Sequence, residues 1–305
     1  MKISFSLKPQ LRLKAAVRLT ALSTLAIAGP ACSAESTESY ADGEIKSAVT
    51  FPETAWRTVE ADNLMLIDTA YGVIGVELFP EIAPNHVAQV KALVRDGFYD
   101  GVVFHRVIVG FMNQTGDGQN GNGTGDSELP DIAAEFTFRR GEDMGVTLVS
   151  SRGSERQQIA TGFYKGLPVA SQPISQAILT KDGKVAAFGL HCKGVTSMAR
   201  TSEPNSANSQ FFLMRGKAEH LDAQYSVWGA TVMGYDYLTS FKVGVVGEDG
   251  FVPDQMNNVK IAADLPEADR PTVQVLDTTS DAFTNWISTQ SYDDVCDVQI
   301  PSRTQ

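Results

Sequence analysis

Between Leu64 and Phe79 the chain reads LMLIDTAYGVIGVELF, two apolar runs of strand length broken at Tyr71-Gly72. Strand-type residues on both sides of a glycine-containing pair predict a hairpin. The signature recurs: GVTSMARTSEPNSANSQFFLMRG holds two strand-like runs joined by a loop rich in Ser, Asn and Pro, and YSVWGATV, NNVKIAADL and TVQVLDT add further candidates. One segment departs from it. APNHVAQVKALVRDGFYDG puts Pro84 at a first helical turn, Val87, Val90, Leu93 and Val94 on one face, and Gly97 just past the end. Many short strands, one clear helix and glycine turns make a mostly antiparallel sheet, closed into a barrel or packed as a sandwich, and periodicity does not choose between the two.

The flanking segments read differently. Residues 1–34 carry a basic start, an apolar run from Leu19 to Ala28 and small residues at GPACSAES, the three parts of an export signal. The run is too short to span a bilayer. Cleavage after Ala34 fits the small-x-small rule, and lipid modification of Cys32 is the alternative, against which Gly29 and Pro30 stand. The expected location is therefore exported, periplasmic or secreted. Export implies an oxidising compartment, which makes Cys192 and Cys296 a candidate disulfide, with two free buried thiols as the other reading. Residues 35–55 read as a flexible tether, 56–265 as the globular domain, 139–188 as a polar, glycine-punctuated insertion within it, and 266–305 as a C-terminal extension.

Charge excludes one class of partner. The 305-residue chain has 25 basic and 36 acidic residues, a formal −11. Five of the basic residues (Lys2, Lys8, Arg12, Lys14 and Arg18) lie in the export segment, and without them the balance is 20 against 36, or −16. Such a chain repels phosphate backbones, so no nucleic-acid partner is expected. A literal G-x-G-x-x-G at Gly116, Gly118 and Gly121 is followed by NGTGDSELP, which will not start the helix that a dinucleotide site needs, so its glycines are read as turn chemistry. No G-x-S-x-G or plausible nucleophile and base pair supports a hydrolase. The four histidines show no ligand spacing, so neither a metal nor any other cofactor is expected.

VFHRVIVGFMNQTGD (Val103 to Asp117) reads as a strand with one arginine, Arg106, set among apolar residues. The stretch resembles the central motif of the cyclophilin family of peptidyl-prolyl isomerases, and SMARTSEPNSANSQFFL resembles its second motif. ELFPEIAPNHVAQVKALVRDGFYDGVVFHR ahead of them and LDAQYSVWG behind occur in the family's order, so the likeness spans about 60–245, interrupted by the insertion. The resemblance implies a closed eight-stranded antiparallel barrel with a capping helix over each end. It implies rotation about X-Pro bonds in exported proteins as the activity and proline-containing polypeptides as partners.

It also assigns roles. Arg106 would meet the prolyl nitrogen, and Gln114 would hold the substrate carbonyl. Phe111, Met112, Phe212 and Leu221 would line the proline pocket. Gln210 would support Arg106 or the peptide, Ala199 would lie beside the extended peptide, and Asn205 to Asn208 would shape the neighbouring groove. Two departures stand out: His220 occupies a position where most members carry tryptophan, and Tyr225 one where they carry histidine. Tyrosine keeps a flat wall with a polar tip; His220 lacks the indole donor and its area, so weak or no cyclosporin binding is expected. Val109 and Thr115 replace a proline and a glycine of the central motif. A non-catalytic proline-peptide binding module or holdase chaperone is the alternative reading.

Overall fold

The structure is a computed structural model that describes residues 50–153 and 159–305. The export signal and nearly all of the tether lie outside the described residues. The chain enters through a 3-10 turn at Glu53–Ala55 and β1 (Trp56–Thr58), then forms a hairpin of β2 (Leu64–Thr69) and β3 (Gly72–Leu78). Gly72 takes φ +125°, a conformation open to glycine. Thr69 Oγ1 donates to its carbonyl at 2.7 Å.

Helix α1 (Pro84–Arg95) buries Val87, Val90, Leu93 and Val94, the face its spacing predicts. Its N-cap, Ala83, has no side chain to offer. Glu135 substitutes from a distant loop: its carboxylate accepts the backbone N–H groups of Asn85 and His86, each at 3.1 Å, and lies 2.6 Å from His86 Nδ1. That satisfies donors which the helix cannot satisfy itself.

The Arg106 stretch is two strands rather than the single one expected. β4 (Arg106–Ile108) and β5 (Met112–Thr115) pair antiparallel around Val109-Gly110. Gly110 at φ +68° makes the reversal possible, and Val109 stands exposed at its tip.

The insertion is also more ordered than its composition indicates. β6 (Phe138–Arg140), β7 (Val146–Arg152), β8 (Ile159–Tyr164), β9 (Leu167–Ser171) and β10 (Val185–Gly189) form an antiparallel sheet in the order β6-β10-β9-β8-β7. After it come β11 (Val195–Met198), β12 (Phe211–Met214), β13 (Val227–Met233), β14 (Gly244–Val245) and β15 (Asn258–Ile261), then the extension with β16 (Val273–Leu276), α2 (Asp281–Ile287) and β17 (Ser302–Thr304). The extension is no loose tail, because β16 pairs with β1 on one side and β17 on the other.

The main sheet is antiparallel and runs β14-β4-β5-β12-β11-β13-β3-β2-β15. It has nine strands, not the expected eight, and its end strands, β14 and β15, are not paired with each other. One end of the expected pair of capping helices is also different. α1 packs on the core, but after β13 the second cap is a 3-10 turn, Tyr235–Thr239, because Gly234 at φ +71° turns the chain straight over the sheet and delivers Leu238 and Phe241 inward.

Two cores result from strand alternation. On β12, Phe211 and Leu213 join the interior of the curled main sheet with Trp228, Ile67 and the α1 face. Phe212 and Met214 point the other way, into a second core shared with Phe163 and Leu167 of the insertion and Phe283 and Val295 of the extension. Cys192 and Cys296 are joined by a disulfide, with Cα atoms 4.9 Å apart, which ties the extension to the chain just before β11.

Candidate active site

β4, β5 and β12 lie side by side, and their outward residues assemble the site. Arg106 faces Gln114 across the first pair, and Gln114 faces Phe212 across the second. A cavity of about 130 Å³ opens here, lined by Arg106, Phe111, Met112, Gln114, Ala199, Phe212, Leu221 and Tyr225, together with Arg200. Eight of the residues singled out in the sequence are thus brought together around one cavity. Gln210 sits behind the cavity and lines an adjoining groove of about 210 Å³ with Thr124, Asp126 and Ser206. His220 does not line the cavity; it is exposed on a 3-10 turn, with its ring 5.8 Å from that of Phe111.

A line of oriented amides leads to the arginine. Arg106 Nη1 donates to Gln114 Oε1 at 3.1 Å, and Gln114 Nε2 donates to Gln210 Oε1 at 3.2 Å. Gln210 Nε2 in turn donates to the carbonyls of Gly123 and Gly125 at 3.1 and 2.7 Å. The guanidinium therefore has one edge fixed, and its carbon stands 5.9 Å from the Phe111 ring centre. A charged, planar donor at the mouth of an apolar cavity can act on a developing lone pair inside it.

The loop that receives Gln210 is organised by a residue which sequence reasoning missed. Buried Asp117 accepts backbone N–H groups from Asn120 and Gly123 at 2.8 Å and from Asn122, Thr124 and Gly125 at 3.1 Å. Burial alone pushes its carboxyl up, but these donors outweigh burial and hold it at about 2. The glycines of the G-x-G-x-x-G pattern serve this turn. Gly116 takes φ +90°, and a Cβ there would strike the Ser209 carbonyl.

Arg200 was missed as well. Its guanidinium lies 4.5 Å from the Tyr225 ring centre and 5.3 Å from that of Phe136, and its hydrogen bonds go to the carbonyls of Gln224, Thr201 and Ser202. It borders both cavity and groove, so the Tyr225 wall is backed by a cation. The only advance signal was a basic residue inside the second motif.

The fold is mostly β with a curled antiparallel sheet, and an arginine held by glutamines stands at the rim of an apolar cavity. The family model described as cyclophilin type peptidyl-prolyl cis-trans isomerase/CLD matches residues 64–263. The chain is 35% identical over 217 residues to the probable peptidyl-prolyl cis-trans isomerase of Brucella suis biovar 1 (strain 1330), covering 67% of this chain and 85% of that protein. It is 29% identical over 195 residues to peptidyl-prolyl cis-trans isomerase-like 3 of Gallus gallus, covering 64% and 90% respectively. Among solved structures it is similar to cyclophilin AquaCyp293 from Hirschia baltica, with a TM-score of 0.76, 37% identity, and coverage of 84% of this chain and 98% of that one. The chain belongs to the cyclophilin-type peptidyl-prolyl isomerases, and its activity is peptidyl-prolyl cis-trans isomerisation.

Proposed function

We propose that Arg106 lowers the barrier to X-Pro rotation by hydrogen bonding to the prolyl nitrogen as the amide twists. The amide resists rotation by about 18–20 kcal/mol because the C–N bond has partial double-bond character. The nitrogen lone pair becomes available only in the twisted state, so this hydrogen bond is stronger there than in the ground state, which is the condition for catalysis. The proline ring occupies the cavity between Phe111, Met112, Phe212, Leu221 and Tyr225, and Gln114 donates from its side-chain amide to the substrate carbonyl beside it. The observation that carries the reading is the Arg106–Gln114–Gln210 line ending at that cavity. Its test is the cis-to-trans conversion of a proline tetrapeptide: acceleration over the thermal rate is expected, and binding without acceleration would favour a holdase instead.

The substrates are proline-containing segments of exported polypeptides, with residues 1–34 acting as an export signal and 35–55 as a tether. The working form of the main sheet is a closed eight-stranded barrel, to which the two-residue β14 is an addition. Support comes from backbone bonds between the stretches that lead into β4 and β15: Phe104 to Asp254 at 2.8 Å, Met256 to Val102 at 2.9 Å, and a bridge from Val103 to Gln255. Cyclosporin binds weakly or not at all, because the exposed His220 offers neither the indole donor nor its area. His220→Trp is expected to tighten cyclosporin binding at least roughly tenfold in a fluorescence titration, and an unchanged affinity would contradict this account of the wall.

A further inference from the structure

The cavity's rear wall is held by groups that come from outside the main sheet. The His191 ring is buried and stacks on Phe212 at 6.1 Å and 25°, and it meets Tyr225 edge-on at 6.4 Å. Phe212 and Tyr225 also meet each other edge-on at 5.9 Å. Two walls of the proline cavity therefore lean on one histidine. That ring is fixed at both edges: Nδ1 lies 3.0 Å from Asp222 Oδ1 and Nε2 lies 3.1 Å from Ser197 Oγ. Ser197 Oγ is itself anchored, donating to the Ser226 carbonyl at 2.9 Å. Asp222 Oδ1 also accepts the His191 backbone N–H at 2.8 Å.

The other oxygen of Asp222 belongs to the insertion's partner network. Arg152, at the end of β7, donates from Nη1 to Asp222 Oδ2 at 3.2 Å and grips Asp294 of the extension through Nε at 2.6 Å and Nη2 at 2.5 Å. Its Nη2 also reaches Cys296 Sγ at 3.4 Å, and Cys296 is bonded to Cys192, the residue next to His191. The circuit closes on itself, covalent on one side and ionic on the other. Its charges are largely withdrawn from water, with side-chain exposures of 18% for Arg152, 13% for Asp222 and 14% for Asp294. Removing one member of a partly buried pair leaves a charge uncompensated, so such a link is costly to break.

We propose that Arg152 of the insertion and Asp294 of the extension are positioning residues for isomerisation, acting through Asp222 and His191 to hold Phe212 and Tyr225 against the proline ring. The inference rests on the isomerase reading of the cavity and gives the insertion a function in it. Arg106 stands on β4, on the cavity's other side, so loosening the rear wall weakens proline binding and leaves the chemical step nearly intact.

The test uses the full chain with Arg152→Met, Arg152→Lys and Asp294→Asn. Each is measured for kcat and KM with a proline tetrapeptide, and for the Kd of the same peptide by NMR titration below the melting range. Arg152→Met is expected to raise KM and Kd roughly five- to tenfold with kcat within about twofold, and Arg152→Lys to recover most of the loss. Asp294→Asn removes the charge without the shape and is expected to raise Kd roughly twofold to fivefold, a second route if Arg152→Met does not fold. Unchanged KM and Kd in the folded variants, even with a lowered melting temperature, would overturn the proposal and leave the circuit purely structural. An inactive wild type would remove the isomerase reading alone, because the peptide Kd still reports on the wall.

Discussion

Ala223 follows Asp222 in the LDAQ turn and adopts φ +55°, a left-handed conformation in which a Cβ costs about 1 kcal/mol. Ala223→Gly is therefore expected to raise the unfolding free energy by about 1 kcal/mol in urea denaturation; a loss of stability would show that the methyl is needed for packing. Residues of this kind also mark how far the sequence could be read. Arg106, Phe111, Met112, Gln114 and Phe212 were legible because they fall within two continuous motifs, where neighbours in sequence are neighbours in the sheet. The exposed place of His220 was not legible, because the motif gives its position in the chain and not the direction of its side chain, which the short turn at Glu219–Leu221 leaves outside the cavity. Arg200 and Asp222 escaped notice because their partners, Phe136 and Arg152, lie 64 and 70 positions away.

Among the elements, the loop after β5 makes the clearest prediction about pH. The Asp117 carboxyl is held at about 2 in the folded chain, below its unfolded value of about 3.9. Its contribution to stability is thus fully present above about pH 4 and is lost as pH falls toward 2. Asp117→Asn is expected to lower stability at neutral pH and to flatten the acid limb of the stability profile; an acid limb identical to wild type would contradict the role given to the five N–H donors. The helix and the β2–β3 hairpin were readable from local periodicity and turn chemistry. The insertion was not, because its apolar residues are divided among short strands, and Phe163 packs in a core shared with the extension, its ring 5.8 Å from that of Phe283. Likewise Val103 to Asp117 reads as one strand until Gly110 is seen to fold it back.

Over the whole molecule, three separated stretches close on one another: β1 from the start of the domain, the insertion, and the extension. Arg57 of β1 reaches β3 with two bonds to buried Glu77, at 2.7 and 2.6 Å, while the disulfide fixes the extension near β11. Because the Cys192–Cys296 link spans 104 positions, replacing both cysteines by alanine is expected to lower stability by about 4 kcal/mol in chemical denaturation. A change below about 1 kcal/mol would mean that packing alone holds the extension in place. Cysteine count and an inferred export signal made this bond a candidate in the sequence, but only the fold, by bringing the two α-carbons to 4.9 Å, selects it over free thiols. Its neighbours His191 and Asp294 connect it to the cavity, so the same architecture that stabilises the molecule reaches the site.

A single hydrogen bond from Arg106, made in the twisted state, carries the proposed catalysis. Rates of cis-to-trans conversion of a proline tetrapeptide, compared for wild type and Arg106→Ala, measure it directly. In Arg106→Ala, kcat/KM is expected to fall by roughly two to three decades, equivalent to about 3 to 4 kcal/mol of transition-state stabilisation, while the peptide Kd changes little. Equal acceleration by the two proteins would leave the activity real and remove Arg106 from its mechanism.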